Sequence, residues 1–189
     1  MPVFSGQGPT GMVRSVQAKE APAIPKANRV GVVFIALLFS YYEIYRWIPL
    51  GSWNGEFHWP VSNDQFYPDL VIGLLLLWMI STFWRRRIVG MWIGISLLTL
   101  WLGIHLSDWW IPYLRGTGSE REGFYRFYSS RTQILPVIGR HHPPDGGHAI
   151  LDLFVLSAFI FGLRAAFVDS RKRIRPELPI KQDSSKTNR

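Results

Sequence analysis

Cysteine is missing from all 189 residues. That absence removes disulfides, thiolate metal sites and thiol redox chemistry, so a quinone–thiol oxidoreductase of the membrane is excluded. The compartment stays open, because a cysteine-free chain suits either side of a membrane. Two local absences say more. The stretch from Pro49 to Pro68 holds neither Lys nor Arg. Residues 1–28, rich in Gly, Pro, Ser, Gln and Ala, have no apolar run long enough for a signal-peptide core, so no cleavage is expected.

Against these absences stand four apolar runs, at about residues 30–48, 70–84, 88–106 and 149–168. A helix needs about 20 apolar residues to cross a hydrocarbon layer. The hydrophobic fraction is 48%, and it is gathered into blocks instead of being spread at helical or strand period, as lipid-facing helices require. The expected fold class is therefore all-α integral membrane protein: four transmembrane helices in an antiparallel bundle, plus one interfacial amphipathic helix. Residues 1–28 read as a disordered cytoplasmic leader, 29–168 as the transmembrane domain and 169–189 as a disordered basic tail.

The formal charge of +8 could suggest nucleic acid, but its distribution argues otherwise. Arg14, Lys19, Lys26 and Arg29 precede the first run. Arg85, Arg86 and Arg87 separate the second from the third, and Arg171, Lys172, Arg173 and Arg175 follow the fourth. In a four-pass topology all three groups share one side, the pattern of cytoplasmic flanks. A multi-pass protein of the plasma (inner) membrane with both termini cytoplasmic is the expectation. Arg115, Arg121, Arg126, Arg131 and Arg140 run against the pattern, but long loops translocate despite charge. No soluble module interleaves stacking aromatics with these charges, so nucleic acid is not an expected partner. The lipid bilayer is, and anionic lipids should gather at the basic flanks, at about 1 kcal/mol per residue. Four helices leave little room for a conduction path, so transport would call for a homo-oligomer or a larger membrane complex.

Local signals refine the plan. Asp69 follows Pro68 and is placed to cap the second helix. Ser119 and Glu122 have capping-box spacing, predicting the interfacial helix from about 120 to 135, ended by Pro136. Basic, aromatic amphipathic helices lie in the interface or close over a polar cavity. No small-xxx-small motif that would fix the helix pairing stands out.

All five histidines, His58, His105, His141, His142 and His148, fall on the expected outer side, where carboxylates accompany two of them. His105 and Asp108 are three apart and His148 and Asp152 four apart, spacings that put each pair on one helix face. At 1.5 Å per residue from Ile88, His105 lies about 26 Å along its helix, near the far boundary of the hydrocarbon. Glu43 joins from the first span. A polar pocket of Glu43, His105, Asp108, His148 and Asp152 follows, and an ionisable group such as Asp152 inside a span faces the interior with a function or a partner. His105, Asp108, His148 and Asp152 could hold a divalent metal; without thiolates this donor set suits zinc, iron or manganese. A hydrogen-bonded network is the alternative, and haem held by His105 and His148 a weaker one.

The segment Arg140–His148 pairs prolines with glycines just before a helix N-terminus, where exposed N–H groups favour anions. Arg126, Arg131 and Arg140 would assist such anion binding; a rigid turn with Asp145 as turn former is the plainer alternative. Pro144, Gly147 and His148 are similar to part of the Pro-Ser-Gly-His motif of membrane lipid phosphatases, over a handful of residues. The Ser is absent, Asp145 and Gly146 stand in that part of the motif, and no Lys-x6-Arg-Pro precedes it, so the chain is not placed in that family. Two functions are compatible with these features. One is an outer pocket that binds an ion, an anionic head group or a partner subunit. The other is a metal-dependent, hydrolase-like membrane enzyme acting on a lipid-linked or periplasmic substrate.

Overall fold

Long apolar runs satisfy their backbone N–H and C=O groups internally when they coil into helices. The computed structural model describes residues 25–55, 63–116, 123 and 128–174, and its four long helices lie where those runs are. They are α1 (Lys26–Trp47), α2 (Asn63–Trp84), α3 (Ile88–Arg115) and α4 (Gly146–Ile174). All four are long and apolar enough to cross a membrane.

Each helix begins earlier or ends later than hydropathy alone suggests, because polar turns extend the apolar blocks. α2 starts at Asn63 and carries Pro68 within it. Asp69 is therefore not the cap expected for it, since it sits in the body of the helix. α3 passes through Pro112 to Arg115, and a π turn over Leu106–Trp110 interrupts it. α4 runs to Ile174, so the first residues assigned to a disordered tail are helical.

The interfacial helix is corrected in part. Gly123 and Tyr128 are helical, but from Ser129 the chain runs through turns and extended backbone to Asp145, not in a helix to 135. Residues 117–122 and 124–127, the leader through residue 24 and the tail after residue 174 lie outside the described residues, as do His58 and Arg126.

α4 packs against α1 and α3, α1 also packs against α2, and α2 touches α3 less despite the short turn between them. Small residues set the α1–α4 contact: a Cβ at Gly31 would stand 3.4 Å from the Ala165 Cβ and 3.7 Å from the Gly162 Cα. Contrary to expectation, α4 carries a small-xxx-small series, Ala158-x3-Gly162-x3-Ala166, and a Cβ at Gly162 would stand 3.0 Å from Ile95 and 3.3 Å from Phe83, so this glycine admits α3 and α2. Around it Ile35, Leu38, Phe83, Met91 and Val155 are fully buried. Outward, large apolar side chains such as Val33, Leu74, Val89, Leu100 and Leu153 are more than half exposed. That surface would be costly in water and neutral in lipid.

Inside this apolar shell the buried acids of the described chain are four aspartates, Asp69, Asp145, Asp152 and Asp169, and each has a partner. Asp169 lies near the end of α4 beside the arginine turn. It accepts from Arg86 NH2 at 2.7 Å and Nε at 3.1 Å, and from Asn28 Nδ2 at 2.7 Å. Arg86 adopts φ 55°, the left-handed region costly for a residue with a Cβ. The bidentate pair holds it there, and the hydrogen bond from Arg86 to Asp169 raises the guanidinium above its usual range.

Candidate functional site

The other three aspartates gather at the opposite ends of the helices. α1 divides its last turns between two neighbours, because residues four apart share a face while adjacent ones do not. Tyr41 and Tyr45 turn to α4, where the Tyr41 hydroxyl donates to the Gly147 carbonyl at 2.9 Å. Tyr42 and Arg46 turn to α2. There the Tyr42 hydroxyl donates to Asp69 Oδ1 at 2.8 Å, while Arg46 donates to Asp69 Oδ2 through Nε at 2.8 Å and NH2 at 2.5 Å. Glu43 lies on this second side with its carboxylate against Gly73. It therefore does not join His105, His148 and Asp152 as expected.

His105 and Asp152 do meet, at 2.5 Å between Nδ1 and Oδ1. Trp101 Nε1 donates to His105 Nε2 at 2.8 Å, which fixes the tautomer: Nε2 accepts, and Nδ1–H donates to Asp152. The second carboxylate oxygen accepts from Trp110 Nε1 at 2.7 Å. Asp108 is not bonded to either residue; its carboxylate meets the Ser107 hydroxyl at 3.5 Å. The π turn is the reason. One extra residue per turn breaks the i, i+3 alignment of His105 with Asp108 and brings Trp109 and Trp110 inward, Trp109 to 4% exposure.

His148 turns away from Asp152, its expected partner, and toward Asp145. Asp145 precedes α4 and is its N-cap: Oδ1 accepts from the His148 backbone N–H at 2.8 Å, and Oδ2 lies 2.9 Å from His148 Nδ1. Arg131 approaches the same oxygen at 3.5 Å, donates to the Tyr45 hydroxyl at 3.0 Å and stacks over the Tyr128 ring at 4.5 Å. The carboxylate is fully buried. So the N-terminus of α4, expected to receive an external anion, holds the chain's own Asp145, and Arg131 is the cation for that internal anion. Arg140, the third residue expected to bind anions, is exposed.

The paired glycines have the close-approach role their sequence suggests, with protein rings as the visitors. A Cβ at Gly146 would stand 3.2 Å from the Trp53 ring, and one at Gly147 would clash with the edge of the Tyr45 ring. Backbone bonds from Thr132 N to Ser52 O and from Gly146 N to Thr132 O, both 2.7 Å, tie these loops together over the cluster.

Aromatic rings wall His148: Trp109 at 4.8 Å, Tyr128 at 5.5 Å, Tyr45 at 5.7 Å and the His105 ring at 6.0 Å between centroids. Burial raises the Tyr128 hydroxyl above its usual 10.0. Since Nδ1–H points to Asp145, the lone pair of His148 is on Nε2, which has no hydrogen-bond partner among the described residues, and the side chain keeps 17% exposure. His105, in contrast, has both nitrogens engaged. His141 is elsewhere, its Nδ1 2.7 Å from the Tyr113 carbonyl.

Among the described residues no group of three His, Asp or Glu side chains could hold a metal ion. The metal set His105, Asp108, His148 and Asp152 is thus not assembled: His105 and Asp152 satisfy one another, His148 is committed to Asp145, and Asp108 bonds to none of the three. Zinc, iron or manganese do not fit these donors as arranged. Axial ligation of haem fails for the same reason at His105.

An apolar groove of about 290 Å3 runs between α2 and α3, lined by residues including Ile72, Leu76, Met79 and Leu98, and ends at Trp101 and His105. The chain matches no protein family, and no curated protein or solved structure is detectably similar to it.

Proposed function

We propose that the four helices cross the plasma (inner) membrane as an antiparallel bundle, with both termini in the cytoplasm. The end carrying His148 then binds the polar head of a membrane-borne amphiphile. His148 Nε2 carries this reading: a nitrogen with a fixed lone pair, oriented by a buried carboxylate and left open among aromatic rings on a side chain that keeps 17% exposure. A hydroxyl or N–H of the head group donates to it, and the apolar groove between α2 and α3 leads an aliphatic tail toward the same end.

Extraction and mass spectrometry of lipids that copurify with the protein in mild detergent test this. A species enriched with the wild type and lost in His148→Ala supports it; identical lipid profiles would overturn it. Because the chain has no cysteine, Ser119→Cys gives a single site for a membrane-impermeant maleimide. Labelling from outside intact cells is expected.

One observation favours a second reading. Asp145 and His148 have the arrangement of an acid-oriented general base, in which Nε2 takes a proton from a bound hydroxyl or water. On that reading the protein is an enzyme acting on a lipid-linked or periplasmic substrate without the metal expected from sequence. Turnover abolished by both His148→Ala and His148→Gln, with ligand retained by the latter, would separate catalysis from binding.

A further inference from the structure

At the arginine-rich end, a crevice of about 540 Å3 opens between the start of α3 and the end of α4, lined by Arg87, Ile88, Val89, Ser170 and Arg173. Trp92 and Phe167, in edge-to-face contact at 5.1 Å, lie beside it, and Trp92 Nε1 donates to Ser170 Oγ at 3.3 Å. The crevice has a polar and an apolar side. Two guanidinium groups from different helices stand at its rim, while Val89, 74% exposed, continues into the outward apolar surface. No side chain caps the start of α3.

Charge at this end is unbalanced among the described residues. Its one acid, Asp169, is 2% exposed and already held by Arg86 and Asn28, so it neutralises neither Arg87 nor Arg173. We infer that this crevice is a binding site for an anionic phospholipid, its phosphate between Arg87 and Arg173 and an acyl chain along Val89 and the Trp92–Phe167 pair. Arginine suits this, since its planar fork donates two hydrogen bonds to one phosphate group. The site rests on the membrane placement proposed above but not on which end faces the cytoplasm, nor on any ligand at His148.

The full-length protein in mild detergent, titrated with phosphatidylglycerol or phosphatidylcholine and read by native mass spectrometry, tests the site. Phosphatidylglycerol is expected to bind about tenfold more tightly. In the double variant Arg87→Gln/Arg173→Gln that preference falls below about twofold, and either single change gives about a threefold loss. Arg164→Gln, an exposed arginine of α4 outside the crevice, keeps the full preference. Equal retention of both lipids by the wild type, or an undiminished preference in the double variant, overturns the proposal. His148→Ala leaves the preference intact, so failure of the amphiphile site and failure of this one are separable. Protein that stays dispersed without detergent would overturn the membrane placement under both.

Discussion

Two ends of the molecule use the same residue for different purposes. At one, Asp169 of α4 closes a knot with Asn28 of α1 and Arg86 of the α2–α3 turn, both its oxygens engaged. At the other, Asp145 accepts from a backbone N–H and approaches Arg131, yet the histidine it orients keeps one nitrogen open. The first arrangement fastens helices; the second aims a side chain. Burial does not distinguish them, since Asp169 is 2% exposed and Asp145 is 0% exposed. What distinguishes them is where the unengaged atom lies: Asn28 Oδ1 is sealed inside the knot without a partner among the described residues, whereas the open nitrogen of His148 belongs to a side chain that keeps 17% exposure.

The largest way to break this contrast is to attack the fastening end. Asp169→Ala leaves Arg86 and Asn28 without their acceptor, and loss of charge-assisted hydrogen bonds should cost about 2–3 kcal/mol. Thermal unfolding in detergent should show a clear drop. An unchanged midpoint would mean that the knot contributes nothing to stability.

Next in size is Gly147→Ala. Its methyl group must displace the Tyr45 ring, which Arg131 hydrogen-bonds, at about 1–3 kcal/mol of overpacking. Circular dichroism melts should show that loss, and Tyr45→Ala should restore part of it by emptying the space. A third change sharpens the contrast itself. Asp145→Asn keeps a competent N-cap but loses the carboxylate facing Arg131 and His148, at about 1 kcal/mol. His148→Ala should alter stability less than that while removing ligand retention, so the two measurements should rank the variants in opposite orders.

The smallest effect concerns pH. Tyr128 is raised above its ordinary 10.0 by burial, so the unfolded chain releases that proton at lower pH than the folded one does. Its contribution is fully present below about pH 10 and declines as pH rises toward the folded value. Melting curves taken on either side of pH 10 should show a shallower decline for Tyr128→Phe than for the wild type. Equal slopes would sink this assignment.

Hydropathy alone revealed the four helices, because blocks of apolar residues have one backbone solution. It also directed attention to His105, His148 and Asp152, which the fold brings to one end. The pairing inside that cluster was less legible. Helical spacing matched His148 with Asp152 and His105 with Asp108, whereas the fold pairs His148 with Asp145 and His105 with Asp152. Asp145 carried a readable signal, an Asp three residues before His148 at the start of a helix, but its neighbouring Pro and Gly residues favoured a turn. Asp69 looked like a cap because Pro68 looked like a boundary. Only tertiary contact reveals that the N–H groups of Trp101 and Trp110 hold His105 and Asp152. No local pattern announces Asn28 and Arg86 as partners of Asp169, since the three are separated by long intervals of sequence.

The π turn of α3 gives the chain a spare residue at a place where one turn of helix faces the pocket. Were the five residues of this turn to relax to ordinary α geometry with none removed, every later side chain of α3 would swing by roughly a quarter turn around its axis. Trp110 would leave Asp152, and Trp109 would leave the His148 ring. A local rewinding of α3 would thus strip the ring of its wall without touching the Asp145–His148 pair.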